Sequence, residues 1–453
     1  MTSVPSPSPA ATQTGGVVTP IGADVVPARA VGRPRILGTI IGAHIVVDYY
    51  SFIIVALLPL LAARLSLDNA EKAMVLGMGS ITSGFIQPLV AWIGDRLNTR
   101  VIATIGLGVA AGACSVVGLA QGFWSLMLIA GVGTMGVGAF HPPAAAVMGQ
   151  VSGSRRSLGV SLFFLAGMIG GMAGNVASPQ FVRWAGRLAG GEGDGVIGLG
   201  LQWMCVLVVP GLLVALLLAK AIHAAPHRHD GAHDHHRSLS PEVRRLRWRA
   251  VWLLYASNVT RFTTNMALVY LFVRWIETRA AEHAGVEQLA GEVALRASAV
   301  NGTFQAAMQF GMGAAGLAAG WLLRARHEKA SLVAVPLLGA ACIAAMSGVD
   351  SLGLGHNAML GVGLLLAVLA GMGFGGTVPT VIALAQRLLP HRTALASGMM
   401  MGGAWGLAFV GPMLAEWIEA RAGLGVAFLA TAGLLVVCAV LGALLPGRVV
   451  REV

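Results

Sequence analysis

Roughly a dozen apolar segments fill this chain between Ile36 and Leu445, and a polar break from Ala221 to Arg249 splits them six and six. A helix that crosses a membrane needs about 20 mostly apolar residues at a rise of about 1.5 Å each. The windows 37–64, 73–94, 101–120, 123–148, 157–182, 196–219, 250–273, 297–323, 331–349, 357–386, 393–415 and 423–445 meet or approach that length. With 56% hydrophobic and 11% charged residues and a mean hydropathy of +0.77, the chain has no surface to offer water as a soluble domain would. The runs show helical rather than alternating patterning, which excludes an outer-membrane barrel. The expected fold is an all-α membrane protein of twelve transmembrane helices in two pseudo-symmetric six-helix bundles. Its parts are a disordered tail (1–35), an N-terminal bundle (36–220), a His/Arg-rich linker (221–249), a C-terminal bundle (250–446) and a short tail (447–453).

Charge placement sets the expected orientation, because cytoplasmic loops carry the Lys/Arg excess. With both ends inside, the inner side holds Arg33, Arg35, Arg96, Arg100, Arg155, Arg156, the linker, Arg324, Arg326, Lys329, Arg387, Arg392 and Arg448. The outer side holds fewer cations, several offset by Asp68, Glu71, Glu277, Glu292, Glu416 and Glu419. The net charge of +11 then reads as topology and attraction to anionic lipids, and a nucleic-acid partner is not expected. Residues 1–35 lack the basic region, apolar core and cleavage site of a signal peptide and read as a cytoplasmic tail. The four cysteines lie in apolar segments without CxxC spacing, so neither a disulfide framework nor a metal cage is expected from them. No phosphate-binding loop and no nucleophile-base motif occurs in the sequence, so the chain is not expected to be an enzyme, and no cofactor is implied.

The two halves echo each other. Gly131-Val-Gly-Thr-Met-Gly136 matches Gly371-Met-Gly-Phe-Gly-Gly376, and the stretch from Arg156 to Gly167 matches that from Arg392 to Gly403. The second segments end as Gly94-Asp95-Arg96 and as Gly320 to Arg326. A parallel duplication of a six-helix unit accounts for this pattern. With Gly94-Asp95-Arg96-Leu97-Asn98-Thr99-Arg100 after the second segment, the chain resembles the major facilitator superfamily. Within it the chain is similar to the fosmidomycin-resistance type of efflux protein. The pieces that carry the likeness are His44-x-x-x-Asp48, Gln87-Pro88, Phe140-His141-Pro142, the Ser-Arg-Arg-Ser run at 154–157, the glycine-rich fifth segment and Arg261 in the seventh. Pro143 stands where that family usually has an acidic residue. The resemblance implies a gradient-driven transporter of a small organic compound in an inner membrane, with protons and lipids as its other partners.

Asp48 is flanked by apolar residues near the middle of the first segment. An ionisable group at that depth costs about 2.5–3.5 kcal/mol on insertion scales and normally faces a cavity or a partner. Arg261 sits at a similar depth in the seventh segment, and the two can meet across the interface between halves. Asp48 would then carry the coupling proton with Arg261 as its partner, or the pair would simply hold the halves together. His44 lies one helical turn before Asp48 and shares its face, as proton relay or as hydrogen-bond donor. His141 opens a Pro142-Pro143 break, where freed carbonyls are tolerated if they line a cavity. Gln87, Asn258, Asn265, Gln305 and Gln309 are the remaining cavity candidates, or ties between helices. Gly94, Asp95, Arg96 and Arg100 form the expected cytoplasmic gate, a role implied by the resemblance. Glycines 167, 170, 171 and 174, and 402, 403, 406 and 411, permit close helix contact.

The linker residues His227, His229, His233, His235 and His236 form a metal-like tract able to hold a divalent ion weakly. Three functions follow: proton-coupled export of a drug-like, anionic or amphiphilic compound, uptake of an organic anion with protons, or a metal-responsive membrane protein acting through the linker.

Overall fold

The computed structural model describes residues 33–94, 100–152, 156–223, 241–389 and 393–447, and every regular element among them is helical. Helices are what the apolar runs dictate, since in lipid each backbone N–H and C=O must find its partner within the segment. The first half contains α1 (Arg33–Leu65), α2 (Asn69–Gly94), α3 (Arg100–Ser115), α4 (Phe123–Val151) and α5 (Arg156–Leu188). Its sixth span is α6 (Gly195–Trp203), which continues through a 3-10 turn into α7 (Val208–His223). The second half begins with α8 (Pro241–Ala284), α9 (Gly291–Leu322) and α10 (Glu328–Met346). The next span is α11 (His356–Gly375), resumed as α12 (Val378–Leu388). One further span is assembled from α13 (Thr393–Gly398), a π-helical segment Met399–Gly403, α14 (Ala404–Leu407) and α15 (Val410–Ala422), and α16 (Leu424–Ala443) is the last.

Ten of these spans are long and apolar enough on their own to cross a membrane. The other two, α8 and α9, have 44 and 32 residues but carry Asn258, Arg261, Asn265, Asn301, Gln305 and Gln309. All six of those side chains are buried, so the polarity that lowers the apolar score of α8 and α9 is turned inward. The chain is thus an all-α, multi-pass membrane protein of about twelve spans.

Glycines set how closely the spans approach. A Cβ on Gly170 would fall 2.2 Å from the Ile45 carbonyl oxygen and one on Gly174 2.3 Å from that of Tyr49, which brings α5 directly onto α1. A Cβ on Gly84 would fall 2.2 Å from the Gly406 backbone, so α2 meets α14 of the other half with no side chain between them. On the opposite seam α5 packs against α9, where a Cβ on Gly171 would lie 2.6 Å from Gln309 Nε2.

The end of the bundle that holds the α1–α2 turn is laced by charge. The turn itself closes with a capping box in which Asp68 and Glu71 accept each other's backbone N–H. Lys72 of α2 meets Glu277 of α8 at 2.6 Å, and both side chains are buried. Arg274 contacts Glu277 at 2.7 Å and Glu419 at 3.0 Å, and Tyr270 donates to Glu419 at 2.8 Å. Arg183 of α5 reaches Glu292 of α9 at 2.7 Å. An open cavity of about 720 Å³ lies beside this lattice, lined by Pro59, Leu67, Lys72, Arg274, Glu277 and Leu289 among others.

Candidate functional site

His44 and Asp48, one turn apart on α1, meet His141 of α4. Asp48 Oδ2 is 3.4 Å from His44 Nε2, Asp48 Oδ1 is 3.4 Å from His141 Nε2, and the two Nε2 atoms are 3.1 Å apart. His141 Nδ1 lies 2.7 Å from the Val137 carbonyl oxygen. A carbonyl only accepts, so Nδ1 carries the hydrogen and Nε2 is the nitrogen turned toward Asp48 and His44. A favourable 3.1 Å contact between the two Nε2 atoms needs a hydrogen on one of them.

Three features hold this arrangement. The His44 ring stacks on Phe163 of α5 at 3.8 Å and lies 5.8 Å from Phe140. Gly167 supplies room, because a Cβ there would sit 2.5 Å from Asp48 Oδ2 and 2.8 Å from His44 Nε2. The third is α4, which stays helical through Pro142 and Pro143. The expected break at those prolines is therefore corrected: tight packing of Gly136 on α3 and of Gly138 on α2 holds the helix, although the prolines offer no N–H to the carbonyls of Gly138 and Ala139. Of the three side chains His141 is the most open, at 26% relative exposure against 5% for His44 and 11% for Asp48.

Arg261 is buried and held by neutral groups. Its Nη1 donates to the Phe374 carbonyl at 3.0 Å and to Thr377 Oγ1 at 2.7 Å, and its Nη2 donates to Asn258 Oδ1. The guanidinium carbon lies 5.0 Å from the Phe262 ring centroid, and Nε has no hydrogen-bond partner among the described residues. The pairing of Asp48 with Arg261 suggested by their depth is not formed. Asp48 is satisfied by two imidazoles of its own half, and Arg261 by a carbonyl, a hydroxyl and an amide of its own half.

The polar residues assigned to a cavity wall largely tie helices together here. Asn258 donates to the Met400 carbonyl, Asn265 to Met312 Sδ at 3.5 Å, and Gln305 to the Val269 carbonyl and Asn301 Oδ1, both at 3.2 Å. Gln309 accepts from Asn175 of α5 at 3.3 Å, across the seam between halves. Gln87 is half-buried beside Gly402. Gly94 ends α2 and Arg100 opens α3, while Asp95 and Arg96 lie outside the described residues, as do linker residues His227, His229, His233, His235 and His236. Asn175, Asn301, Phe163 and Thr377 were not singled out from the sequence.

A profile of the Major Facilitator Superfamily matches residues 40–410. The chain belongs to that superfamily. Among curated proteins it is 27% identical over 152 residues to the fosmidomycin resistance protein of Escherichia coli strain K12, covering 34% of this chain and 37% of the relative. It is 25% identical over 138 residues to the uncharacterized MFS-type transporter YfnC of Bacillus subtilis strain 168, covering 30% and 32%. The aligned stretch thus spans about a third of the length of either relative. Among solved structures, a bacterial homologue of the human lysosomal transporter Spinster, inward-facing and unoccupied, superposes with a TM-score of 0.70 at 16% identity over 93% of this chain and 98% of that one. A bacterial homologue of the human drug peptide transporters PepT1 and PepT2 superposes at 0.66 with 14% identity over 93% and 99%. These structural likenesses establish the fold. Membership of a transporter superfamily agrees with the expectation that the chain is no enzyme.

Proposed function

We propose that the protein is a proton-coupled secondary transporter that exports a small organic compound by alternating access. The observation that carries the reading is the trio of Asp48, His44 and His141, three ionisable side chains gathered in the membrane interior with contacts of 3.1–3.4 Å. Idle charges are rare at that depth, and a carboxylate between two imidazoles can hold, pass and release a proton near neutral pH. His141, the most open of the three, exchanges the proton with solvent, the Asp48 carboxylate holds it there as the counter-charge, and His44 fixes the carboxylate. Arg261 attracts an anionic group on the substrate, since its charge meets only neutral partners among the described residues. The partial likeness to a fosmidomycin resistance protein supports export of a drug-type compound. The termini and the linker face the cytoplasm in this reading, with the lattice around Lys72 and Glu277 at the outer end.

Substrate-induced proton flux in proteoliposomes tests the reading, with native protein and Asp48→Asn compared over a panel of anionic and cationic compounds. The expected result is flux driven by an anionic compound and absent in Asp48→Asn, with protons moving opposite to the compound. Equal flux from both proteins removes the coupling role of Asp48, and movement of proton and compound together turns the exporter into an uptake symporter.

A further inference from the structure

The three contacts that define the trio have a second meaning. A tetrahedral ion with bonds of about 2.0–2.1 Å holds its ligand atoms about 3.3–3.4 Å apart. His44 Nε2 and His141 Nε2 stand 3.1 Å apart, and the carboxylate of Asp48 spans the pair with Oδ2 at 3.4 Å from the first and Oδ1 at 3.4 Å from the second, so each donor contact is near the ligand–ligand spacing of such an ion. One ligand atom from each residue lies within 4.8 Å of the other two.

We propose that His44, Asp48 and His141 form an intramembrane site for a divalent transition metal of the zinc class, distinct from the histidine-rich linker. Two imidazoles and one carboxylate are a donor set suited to Zn²⁺ or Co²⁺, with a fourth position left for water. The groups around it fit. His141 donates Nδ1–H to the Val137 carbonyl at 2.7 Å, which leaves Nε2 as the nitrogen that coordinates and fixes the ring. The His44 ring is locked by stacking on Phe163 at 3.8 Å. Gly167 lets α5 pass against two of the donors, and a Cβ there would come within 2.5 Å of Asp48 Oδ2 and 2.8 Å of His44 Nε2 and push them out of place. His141, at 26% exposure, gives the access path. The ion takes the place of the hydrogen shared between the imidazoles and clamps α1 to α4.

This inference does not rest on the transport reading, and its test is independent of flux. Co²⁺ is titrated into the purified, detergent-solubilised chain in which His227, His229, His233, His235 and His236 are replaced by serine, so that the linker contributes no imidazole from those positions. The expected result is one Co²⁺ per chain with the intense visible absorption of a four-coordinate ion, displaced by Zn²⁺. Asp48→Asn, His141→Gln and Gly167→Ala should each weaken binding by about 100-fold or more, the last without removing a ligand. Each variant is first shown to be monodisperse by size exclusion, so that lost binding is not lost folding. Weak absorption typical of six-coordinate Co²⁺, or binding unchanged in Gly167→Ala and His141→Gln, overturns the site, whatever the flux experiment shows.

Discussion

Midway along its first span each half carries one buried charge, Asp48 and Arg261, and the two halves satisfy theirs in opposite ways. Asp48 of α1 is met by His141 of α4, the fourth span, and by His44 of its own helix. Arg261 of α8 is met by Phe374 of α11 and by Thr377, where α11 gives way to α12, again the fourth span of its half. The positions follow the duplication while the chemistry does not. The carboxylate is surrounded by groups that can take a proton, so that site can change charge. The guanidinium is surrounded by a carbonyl, a hydroxyl and an amide, which cannot, so that site keeps its positive charge. In the proposed function the variable charge of the first half would serve coupling and the fixed charge of the second would hold an anion.

Disabling the variable site should have the largest effect. Removing the carboxylate in Asp48→Asn, or the more open imidazole in His141→Ala, is expected to lower substrate-driven proton flux by about 100-fold or more, the scale of losing a positioned proton-transfer group. Intravesicular pH dye traces measure it. Arg261→Met should leave proton movement driven by a cationic compound intact and raise the KM for an anionic one by about 10- to 100-fold, because one charge-assisted contact is worth about 1.5–3 kcal/mol. Transport that fails for both classes in Arg261→Met would erase the division of labour between halves.

Much of this arrangement was legible in the sequence. The number of spans followed from length and hydropathy, and the duplication from the repeated glycine and arginine runs. The candidates followed from the cost of charge in lipid for Asp48 and Arg261, from spacing for His44 and from the neighbouring double proline for His141. His44 and Asp48 were expected on one face from their i,i+4 spacing, and they are. Partner choice was not legible. Depth alone made Asp48 and Arg261 look like a pair, because hydropathy fixes the height of a residue in the membrane and says nothing of its azimuth around the bundle. Asn175, Asn301 and Thr377 escaped notice for a related reason. A small polar residue in an apolar run reads as neutral until the carbonyl or guanidinium it faces is known, as with Asn301 and the Val55 carbonyl at 2.7 Å. The π-helical segment at Met399–Gly403 left no mark in a composition rich in both helix-forming and small residues.

The seams between the halves extend the comparison. At the α2–α14 crossing the backbones touch, and Gly84→Ala would force a Cβ to within 2.2 Å of Gly406. A cost of about 1–3 kcal/mol is expected from such overpacking, read as a lower Tm of the detergent-solubilised protein. Gly42→Ala and Gly112→Ala, which meet nothing within 4 Å, serve as controls and should leave Tm unchanged or slightly raised. A Gly84→Ala protein as stable as the controls would show that α2 and α14 do not press together as closely as the structure has them.

The ion-pair lattice should give unequal effects, and its Lys72 end the smallest. Glu277 has two cationic partners, Lys72 at 2.6 Å across the seam and Arg274 at 2.7 Å on its own helix. Lys72→Gln therefore leaves Glu277 still paired with Arg274, whereas Glu277→Gln strips Lys72 of the only carboxylate in contact with it among the described residues. Leaving a buried charge unpaired costs more than removing the charge itself. Glu277→Gln should thus lower stability by about 2–3 kcal/mol, and Lys72→Gln by about 1 kcal/mol or less. The double variant Lys72→Gln with Glu277→Gln should fall between them, since it leaves no orphaned ammonium. The coupling measured in such a cycle belongs to the seam alone, because Arg274 keeps its 3.0 Å contact with Glu419 in every variant. Breaking the cross-seam pair should also expose the neighbouring cavity wall, so a cysteine placed at Leu289 should react faster with a membrane-impermeant thiol reagent in Lys72→Gln than in the native background. Additive losses in the cycle together with unchanged labelling would reduce the lattice to a property of the second half, with no hold on the first.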